Sequence, residues 1–267
     1  MNHPHRHIVL VLSFLLSTFA FASAHAKPAF EAYEKFILGG THAGFAIQRY
    51  SFDAKHKTVT SISYTYVATG NHKTIESLVA KSDLNFEPIS YQYTALVDGK
   101  PILIAARFVN KKMTAVKVEG GQKTKLTATV PPDGFLSTFL NYVLLKNGLA
   151  VGKAYKFDAL AEEEGKFRMG TAQILSETKI AGVPAFKIKF HYKTDFVSLL
   201  SDKGEPLGTR SDAQDADTEI ATKDAATRGI AFNKSQVRKL FGGVPLGLDN
   251  QIYGPKKQVS SPSSKGQ

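Results

Sequence analysis

Histidine and acidic side chains are the residues of this chain that could hold a metal ion. The histidines after residue 26 are His42, His56, His72 and His191. None of them is spaced as a zinc-binding pair. The carboxylates from Asp212 to Glu219 offer the oxygen ligands that calcium prefers, but their spacing is not that of a calcium-binding loop. The sequence therefore predicts no metal site, and no motif indicates a cofactor.

Catalytic nucleophiles lack a recognisable setting in this sequence. There is no Gly-x-Ser-x-Gly motif and no cysteine. The glycine-rich stretch from Gly39 to Gly44 lacks the Lys-Ser/Thr of a phosphate-binding loop and predicts a tight turn. The adjacent Glu162, Glu163 and Glu164 are typical of a solvated turn, where burial does not separate carboxyl pKa values. We expect no catalytic residue and a protein that is not an enzyme, with a hydrolase as the enzymatic alternative.

Aromatic side chains alternate with polar ones along several predicted strands, and they suggest a binding face instead. A curved sheet closed by an apolar helix can enclose a cavity for an apolar ligand. Side chains that fill the same space would give a plain core, and the sequence leaves both alternatives open. The candidate ligand-binding residues are Tyr64, Tyr66, Tyr91, Tyr93, Phe139, Tyr142, Phe186 and Phe190.

A basic stripe lies on the other face of the clearest predicted strand. Phe186, Ile188, Phe190 and Tyr192 point to one side of that strand. The candidate residues for contact with an anionic surface are Lys187, Lys189, His191 and Lys193, helped by Lys123 and Lys125. The formal net charge of +11 is compatible with anionic partners, and a net positive charge that only keeps the protein soluble is the alternative.

Period-2 alternation and regularly spaced turns predict that these residues lie on a large curved antiparallel sheet, a half-barrel or open barrel. Consecutive strands are predicted from Phe36 to Val130, with hairpin turns at Asp98-Gly99, around residues 110 to 112, and at Gly120-Gly121. After residues 131 to 134, an apolar helix is predicted over residues 135 to 146, where it packs on or plugs the sheet. Further strands follow up to about residue 222. The predicted fold is therefore mainly β with one apolar helix.

The first 26 residues resemble a secretory signal peptide. An apolar run from Ile8 to Ala22 precedes the small-x-small pattern of Ala24-His25-Ala26. The run is shorter than the roughly 20 residues that a spanning helix needs, so we expect cleavage rather than a membrane anchor. We predict three parts: a signal peptide (1–26), a single antiparallel β domain (27–231) and a loosely ordered C-terminal tail (232–267). A periplasmic or secreted product is not expected to bind nucleic acid. Because the sequence contains no cysteine, we expect no lipoprotein anchor.

Three phrases of the sequence resemble a family of exported bacterial proteins. They are residues 37 to 44, 82 to 93 and 196 to 207, which read ILGGTHAG, SDLNFEPISYQY and FVSLLSDKGEPL. They resemble the domain of unknown function 3108 family over roughly residues 33 to 222. The resemblance implies a curved sheet similar to the half-barrels of LolA/LolB-type lipoprotein carriers, which shelter acyl chains. This chain has only one convincing helix for that role, and the family contributes no catalytic residues.

Two functions remain open from the sequence. The first is a non-enzymatic envelope protein that binds a lipid-like apolar or amphipathic ligand, a lipoprotein or an envelope partner in the concave face of its sheet. The second is a scaffold or adaptor that contacts an envelope protein or an anionic polymer through the basic stripe. Both are expected to lack a membrane span once the leader has been removed.

Overall fold

The computed structural model describes residues 28 to 255. The predicted signal peptide at residues 1 to 26 and residues 256 to 267 of the predicted tail lie outside the described residues. None of the helices between residues 28 and 255 combines the length and apolar character needed to cross a membrane.

Fifteen strands form one large sheet, accompanied by three short helices. The first eight strands are β1 (Pro28–Leu38), β2 (Thr41–Asp53), β3 (Thr58–Thr69), β4 (His72–Asp83), β5 (Pro88–Val97), β6 (Lys100–Val109), β7 (Lys112–Glu119) and β8 (Gln122–Thr129). The remaining strands are β9 (Phe135–Leu136), β10 (Ala154–Ala161), β11 (Lys166–Ile180), β12 (Val183–Tyr192), β13 (Thr194–Ser201), β14 (Pro206–Ser211) and β15 (Ala216–Ala221). The helices are α1 (Leu140–Asn147), α2 (Lys223–Ala226) and α3 (Lys234–Phe241), and 3-10 turns span Ser137–Phe139 and Asp212–Gln214.

The strand order is β8-β7-β6-β5-β4-β3-β2-β1-β15-β14-β13-β12-β11-β10-β9. All neighbouring strands are antiparallel except β9 and β10, which are parallel. In the described part of the chain, β8 and β9 form the two edges, so the sheet is open rather than closed. The predicted fold class, mainly β with a large curved antiparallel sheet, is confirmed.

Tight turns connect most of the sequential strands, as the sequence predicts. Asp98 and Gly99 both have positive φ, at 49° and 80°, in the turn between β5 and β6. Two successive residues with positive φ match the right-handed twist of the strands that they join. The glycine-rich stretch gives the turn between β1 and β2, and Gly44 then lies inside β2. A Cβ atom at Gly44 would come within 2.0 Å of the Tyr66 carbonyl oxygen, so this close strand contact requires glycine.

The two faces of the sheet carry separate hydrophobic clusters. The inner face bears the larger cluster, which includes Tyr50 and Tyr91 and extends from β8 to β10. Because residues from both ends of the sheet join this cluster, the sheet curls around its inner face. The outer face of β1 to β3 bears a second cluster that includes Phe45 and Tyr64. Both faces of β3 are therefore covered, which is a departure from a sheet with one solvated face.

Helix α1 packs on the inner face, in agreement with the predicted position of the apolar helix. Its Tyr142 ring contacts Tyr50 edge to face, with 4.9 Å between ring centroids. The predicted helix over residues 135 to 146 begins too early, however. Phe135 and Leu136 instead form β9, which pairs with Ala159 and Leu160 of β10. Backbone pairing with β10 thus replaces the first helical turn, and the α-helix starts at Leu140.

The C-terminal segment, residues 222 to 254, covers the outer cluster. Val237 and Phe241 of α3 are buried there with Ala226 of α2. The sequence predicts a loosely ordered tail from residue 232, but Phe232, Val237, Leu240 and Phe241 of this segment pack in the outer cluster. The difference arises because the outer faces of β1 to β3 are apolar, so burial by the C-terminal segment removes that surface from water.

Candidate functional site

A cavity of about 220 Å³ lies on the inner face, between the start of α1 and the sheet. Its walls come from β1, β2, β12, β13 and β14 and from the chain around the first 3-10 turn. The lining residues are Glu34, Gln48, Tyr50, Ser137, Thr138, Leu140, Asn141, Phe190, Phe196, Ser198, Pro206 and Thr209. The lining is mixed, with aromatic and aliphatic walls beside hydroxyl, amide and carboxyl groups.

Glu34 enters the cavity because of its position in β1. Phe30 and Ala32 belong to the inner cluster, and Glu34 continues the same alternation. The side chain is half-buried and lines the cavity. Burial raises the pKa of Glu34 to about 7, and a hydrogen bond with the Thr218 side chain partly offsets that effect. No Lys, Arg or His belongs to the described lining of the cavity.

A hydrogen-bond network fixes the floor of the cavity. The Gln48 Nε2 donates to the Tyr50 hydroxyl at 2.5 Å, and that hydroxyl donates to the Thr138 carbonyl oxygen at 2.7 Å. The Ser61 and Thr138 hydroxyls are 2.7 Å apart. Burial raises the pKa of Tyr50 above its ordinary value, so its phenol remains a neutral donor. These bonds hold the residues before α1 in one orientation against β2 and β3.

Glu162 lies behind the first 3-10 turn and was misassigned from the sequence. It was expected on a solvated turn, but it is only 3% exposed. The Ser137 hydroxyl donates to its Oε2 at 2.5 Å, and the Thr138 N–H donates to its Oε1 at 3.2 Å. Burial raises the pKa of Glu162 to about 7, and these two hydrogen bonds act in the opposite direction. The carboxyl is buried because the turn after β10 folds inward beneath the segment that contains Ser137.

The polar groups of the cavity differ in whether they already have protein partners. A carboxyl with a pKa near 7, such as Glu34, could act as a general acid or base. The hydroxyls in the lining already have protein partners: Ser137 donates to Glu162, Ser198 donates to the Gly208 carbonyl oxygen, and Thr209 donates to Ser198. Both oxygens of Glu162 also accept hydrogen bonds from the protein. Glu34 thus faces the cavity without a second group to complete a nucleophilic site.

The predicted ligand-binding residues divide between the two faces of the sheet. Tyr91, Tyr93, Phe139, Tyr142 and Phe190 belong to the inner cluster, and Phe186 packs against it. Only Phe190 of this predicted set lines the cavity. The other two predicted residues lie on the outer face: Tyr64 is in the outer cluster and Tyr66 packs against that cluster. The eight aromatic residues therefore do not converge on one site.

The basic stripe is partly neutralised by acidic neighbours. Lys187 and Lys189 project from the exposed side of β12 and make no ion pair within residues 28 to 255. His191 Nδ1 lies 2.5 Å from an Asp195 carboxylate oxygen. Lys193 is instead in the turn after β12, where its ammonium group pairs with Glu163. The four residues thus provide two unpaired lysines rather than a continuous basic surface.

The acidic stretch after β14 is occupied by ion pairs. Arg210 Nε lies 2.6 Å from Asp212 Oδ1, and its NH1 lies 3.3 Å from Asp217 Oδ2. Lys35 Nζ lies 3.4 Å from Glu219 Oε1. Between residues 28 and 255, no group of three or more His, Asp or Glu side chains is arranged to hold a metal ion.

Sequence reasoning missed most of the cavity. Predicted strands began at Phe36, so β1 and its inward-facing Glu34 were not assigned. The sequence does contain a signal for Glu34. It follows Phe30 and Ala32 at a spacing of two, so a charged residue stands where the alternation of a strand predicts an apolar one. Thr138 and Thr209 carry no comparable signal, since their exposure depends on how distant strands are brought together.

Comparison with solved structures supports the fold. A beta-barrel-like protein of domain of unknown function DUF1849 from Brucella abortus aligns with a TM-score of 0.54 and 12% identity, over 71% of this chain and 93% of that one. A DUF1089 family protein from Pseudomonas aeruginosa aligns with a TM-score of 0.37 and 11% identity, over 62% of this chain and 89% of that one. No family model and no curated protein matches the sequence. The chain therefore shares its fold with the beta-barrel-like protein of domain of unknown function DUF1849.

Proposed function

We propose that this protein is a non-catalytic binding protein that holds a small amphipathic molecule in the cavity lined by Glu34. The observation that carries the proposal is the mixed lining of a cavity of about 220 Å³ inside the curled sheet. Ligand sites typically combine apolar walls with a few fixed polar groups, as this cavity does. The predicted signal peptide would place the protein in the periplasm or outside the cell.

The size of the cavity favours a small molecule over a whole lipid. Pockets for drug-sized ligands usually enclose roughly 300 to 1,000 Å³. The resemblance of the sequence to the domain of unknown function 3108 family and to lipoprotein carriers suggested an acyl chain. An acyl chain would require α1 to move away from the inner face, because Phe139, Leu140 and Leu144 now fill that space.

The test is to fill the cavity without changing the rest of the fold. Thr209 lines the cavity, whereas Thr171 is exposed on the outside of β11. We expect Thr209→Phe to abolish binding of any small molecule that native mass spectrometry or a thermal-shift panel detects on the purified protein. Thr171→Phe is the matched control and should leave binding unchanged. Binding that survives Thr209→Phe in a folded protein would place the ligand elsewhere and contradict the proposal.

Native mass spectrometry of protein from the envelope fraction also tests the lipid alternative. A stoichiometric lipid would contradict the small-molecule proposal and favour a carrier in which α1 moves. A bound species with the mass of a small organic molecule would support the cavity as the site. The same preparation therefore separates the two classes of ligand by mass alone.

The second candidate function is an adaptor that contacts anionic envelope material. The observation in its favour is that Lys187 and Lys189 lie exposed on the same side of β12. Reversing both charges with Lys187→Glu and Lys189→Glu should weaken sedimentation with envelope fractions, most clearly at low salt. The matched control is Lys55→Glu with Lys57→Glu, which makes the same change of charge in an exposed turn. Equal sedimentation of the two double variants would contradict a specific role for β12.

A further inference from the structure

The cavity contains one carboxyl group that lacks a cationic partner. Glu34 faces it from β1, and the Tyr50 phenol on β2 is a second titratable group of the lining that interacts with Glu34. Glu162 lies behind the chain at Ser137 and Thr138, and the lining residues of β12, β13 and β14 are all uncharged. Thr218 on β15 contributes a hydroxyl to Glu34. An ionised Glu34 would thus be a half-buried charge without a cationic partner among the described residues, which is unfavourable unless a ligand supplies the opposite charge.

The walls beside this carboxyl are suited to an organic cation. Phe190 and Phe196 stack with 4.9 Å between ring centroids and an interplanar angle of 15°, and both line the cavity with Tyr50. Aromatic faces attract cations through the negative charge density of the ring. A cavity with one carboxylate and several aromatic rings therefore fits an ammonium group attached to a small apolar body.

The volume of the cavity limits the size of the apolar part of the ligand. An engineered apolar cavity of about 150 Å³ in another protein binds benzene. The cavity of about 220 Å³ has room for a ring of that size with a short aminomethyl arm. Larger amines would need the start of α1 to move.

We propose that the ligand of this cavity is a small primary amine whose ammonium group pairs with Glu34 while its apolar part lies against Phe190 and Phe196. This inference rests on the proposed function, because it names the chemical class of the ligand for the same cavity. The Gln48 and Asn141 side chains supply further hydrogen-bonding groups for the ammonium end.

Binding of such an amine is coupled to the ionisation of Glu34. Burial raises the pKa of Glu34 to about 7, so the free protein carries a substantial protonated fraction at neutral pH. An ammonium ion favours the carboxylate, so it displaces that proton when it binds. Alkyl amines stay protonated well above neutral pH, so the carboxyl sets the pH dependence. We expect affinity to weaken about tenfold or more between about pH 8 and about pH 5.5.

The experiment compares benzylamine with benzyl alcohol by calorimetry on the purified protein. We expect benzylamine to bind more tightly than the alcohol, and Glu34→Gln to weaken only the amine, by about tenfold or more. The matched control is Glu76→Gln, because Glu76 accepts a hydrogen bond from Tyr93 at 2.7 Å but does not line the cavity. Glu76→Gln should leave both affinities unchanged. Circular dichroism confirms that each variant is folded.

The outcomes separate the two proposals. Equal binding of the amine and the alcohol, unchanged by Glu34→Gln but lost in Thr209→Phe, would overturn the amine inference and leave the cavity as the binding site. Binding of benzylamine that Glu76→Gln weakens as much as Glu34→Gln would also overturn the inference. If neither probe binds while the thermal-shift panel finds a neutral ligand, the amine inference fails and the proposed function stands. Loss of amine binding in Glu34→Gln alone supports both.

Discussion

The inner and outer faces of the sheet treat buried charge in opposite ways. On the outer face, the Glu31 carboxylate pairs with Arg49, at 2.5 Å from its NH2, and accepts hydrogen bonds from the Leu246 and Gly247 N–H groups at 3.0 and 2.9 Å. On the inner face, Glu34 and Glu162 have no basic partner among the described ion pairs. The paired Glu31 carboxylate attaches the C-terminal segment, whereas the unpaired Glu34 carboxyl faces a cavity. The difference shows that a buried carboxylate on the outer face is held by protein partners, whereas the proposed ligand would have to supply the cation on the inner face.

The connection around Glu31 is extensive for a single carboxylate. Arg49 also donates from NH1 to the Phe241 carbonyl oxygen at 2.8 Å and lies over the Phe241 ring. The Asn250 side chain donates to the Glu31 carbonyl oxygen at 3.0 Å. The outer face is thus covered by a segment that the strands bind through both side chains and backbone.

The largest expected effect is therefore on the outer face. Glu31→Ala should lower the free energy of unfolding by about 3 to 5 kcal/mol, because it leaves the half-buried Arg49 guanidinium and two N–H groups without their acceptor. Chemical denaturation measures the loss, and limited proteolysis should show earlier cleavage in residues 242 to 254. The matched control is Glu219→Ala, which removes a carboxylate that is 56% exposed from its pair with Lys35. That change should cost no more than about 1 kcal/mol. Equal effects of the two variants would remove the contrast between the faces.

The next effect concerns pH and the inner face. The pKa of Glu34 is raised from 4.5 to about 7 in the folded protein, so the folded state binds more protons than the unfolded state between those values. Stability should therefore fall as pH rises through this window. In Glu34→Gln, the fall in the free energy of unfolding across the window should be smaller than in the original protein, by at most about 3 kcal/mol. The pH dependence that remains should come from Glu162, whose pKa is also raised. Denaturation curves from about pH 5 to about pH 8 measure this dependence. If the free energy of unfolding depended on pH in Glu34→Gln as it does in the original protein, Glu34 would not have a raised pKa in the folded state.

The smallest effect involves one tyrosine hydroxyl on each face. The hydroxyls of Tyr64 on the outer face and Tyr91 on the inner face are buried and have no hydrogen-bond partner within the described structure. Tyr64→Phe and Tyr91→Phe should each leave the free energy of unfolding within about 1 kcal/mol or raise it, because no bond is lost. Tyr93→Phe is the control, since its hydroxyl donates to Glu76 at 2.7 Å and its loss should destabilise by about 1 kcal/mol. A large loss at Tyr91 would reveal a partner in the cavity region.

The architecture could be predicted from the sequence because it depends on local signals. Alternation defined the strands, and turn residues such as Asp98-Gly99 defined the hairpins. The predicted start of α1 was wrong because Phe135 and Leu136 pair with Ala159 and Leu160 of β10, which lie far away in the chain. Local periodicity cannot report such a contact.

The candidate site was only partly predictable. Alternation divides the residues of a strand between two faces, but it does not say which face lies on the inner side of the sheet. Tyr64 is opposite Ser77 on β4, and Tyr91 is opposite Ala80 on the same strand. Ser77 and Ala80 differ by an odd number of positions, so the two tyrosines lie on opposite faces. The apolar side chains Ile62 and Tyr64 of β3 point outward, and the C-terminal segment covers them.

The pairing of β1 with β15 joins two series of strands in the middle of the sheet. Strands β1 to β8 form one series of sequential hairpins, and β10 to β15 form another, so each can assemble from contacts between neighbours. Lys35 and Glu219 face each other across β1 and β15 although they are 184 residues apart. One edge of β1 therefore stays unpaired until β15 has been synthesised. During that interval its open edge can pair with the β15 strand of another chain, so refolding at high protein concentration should favour exchanged assemblies over monomers.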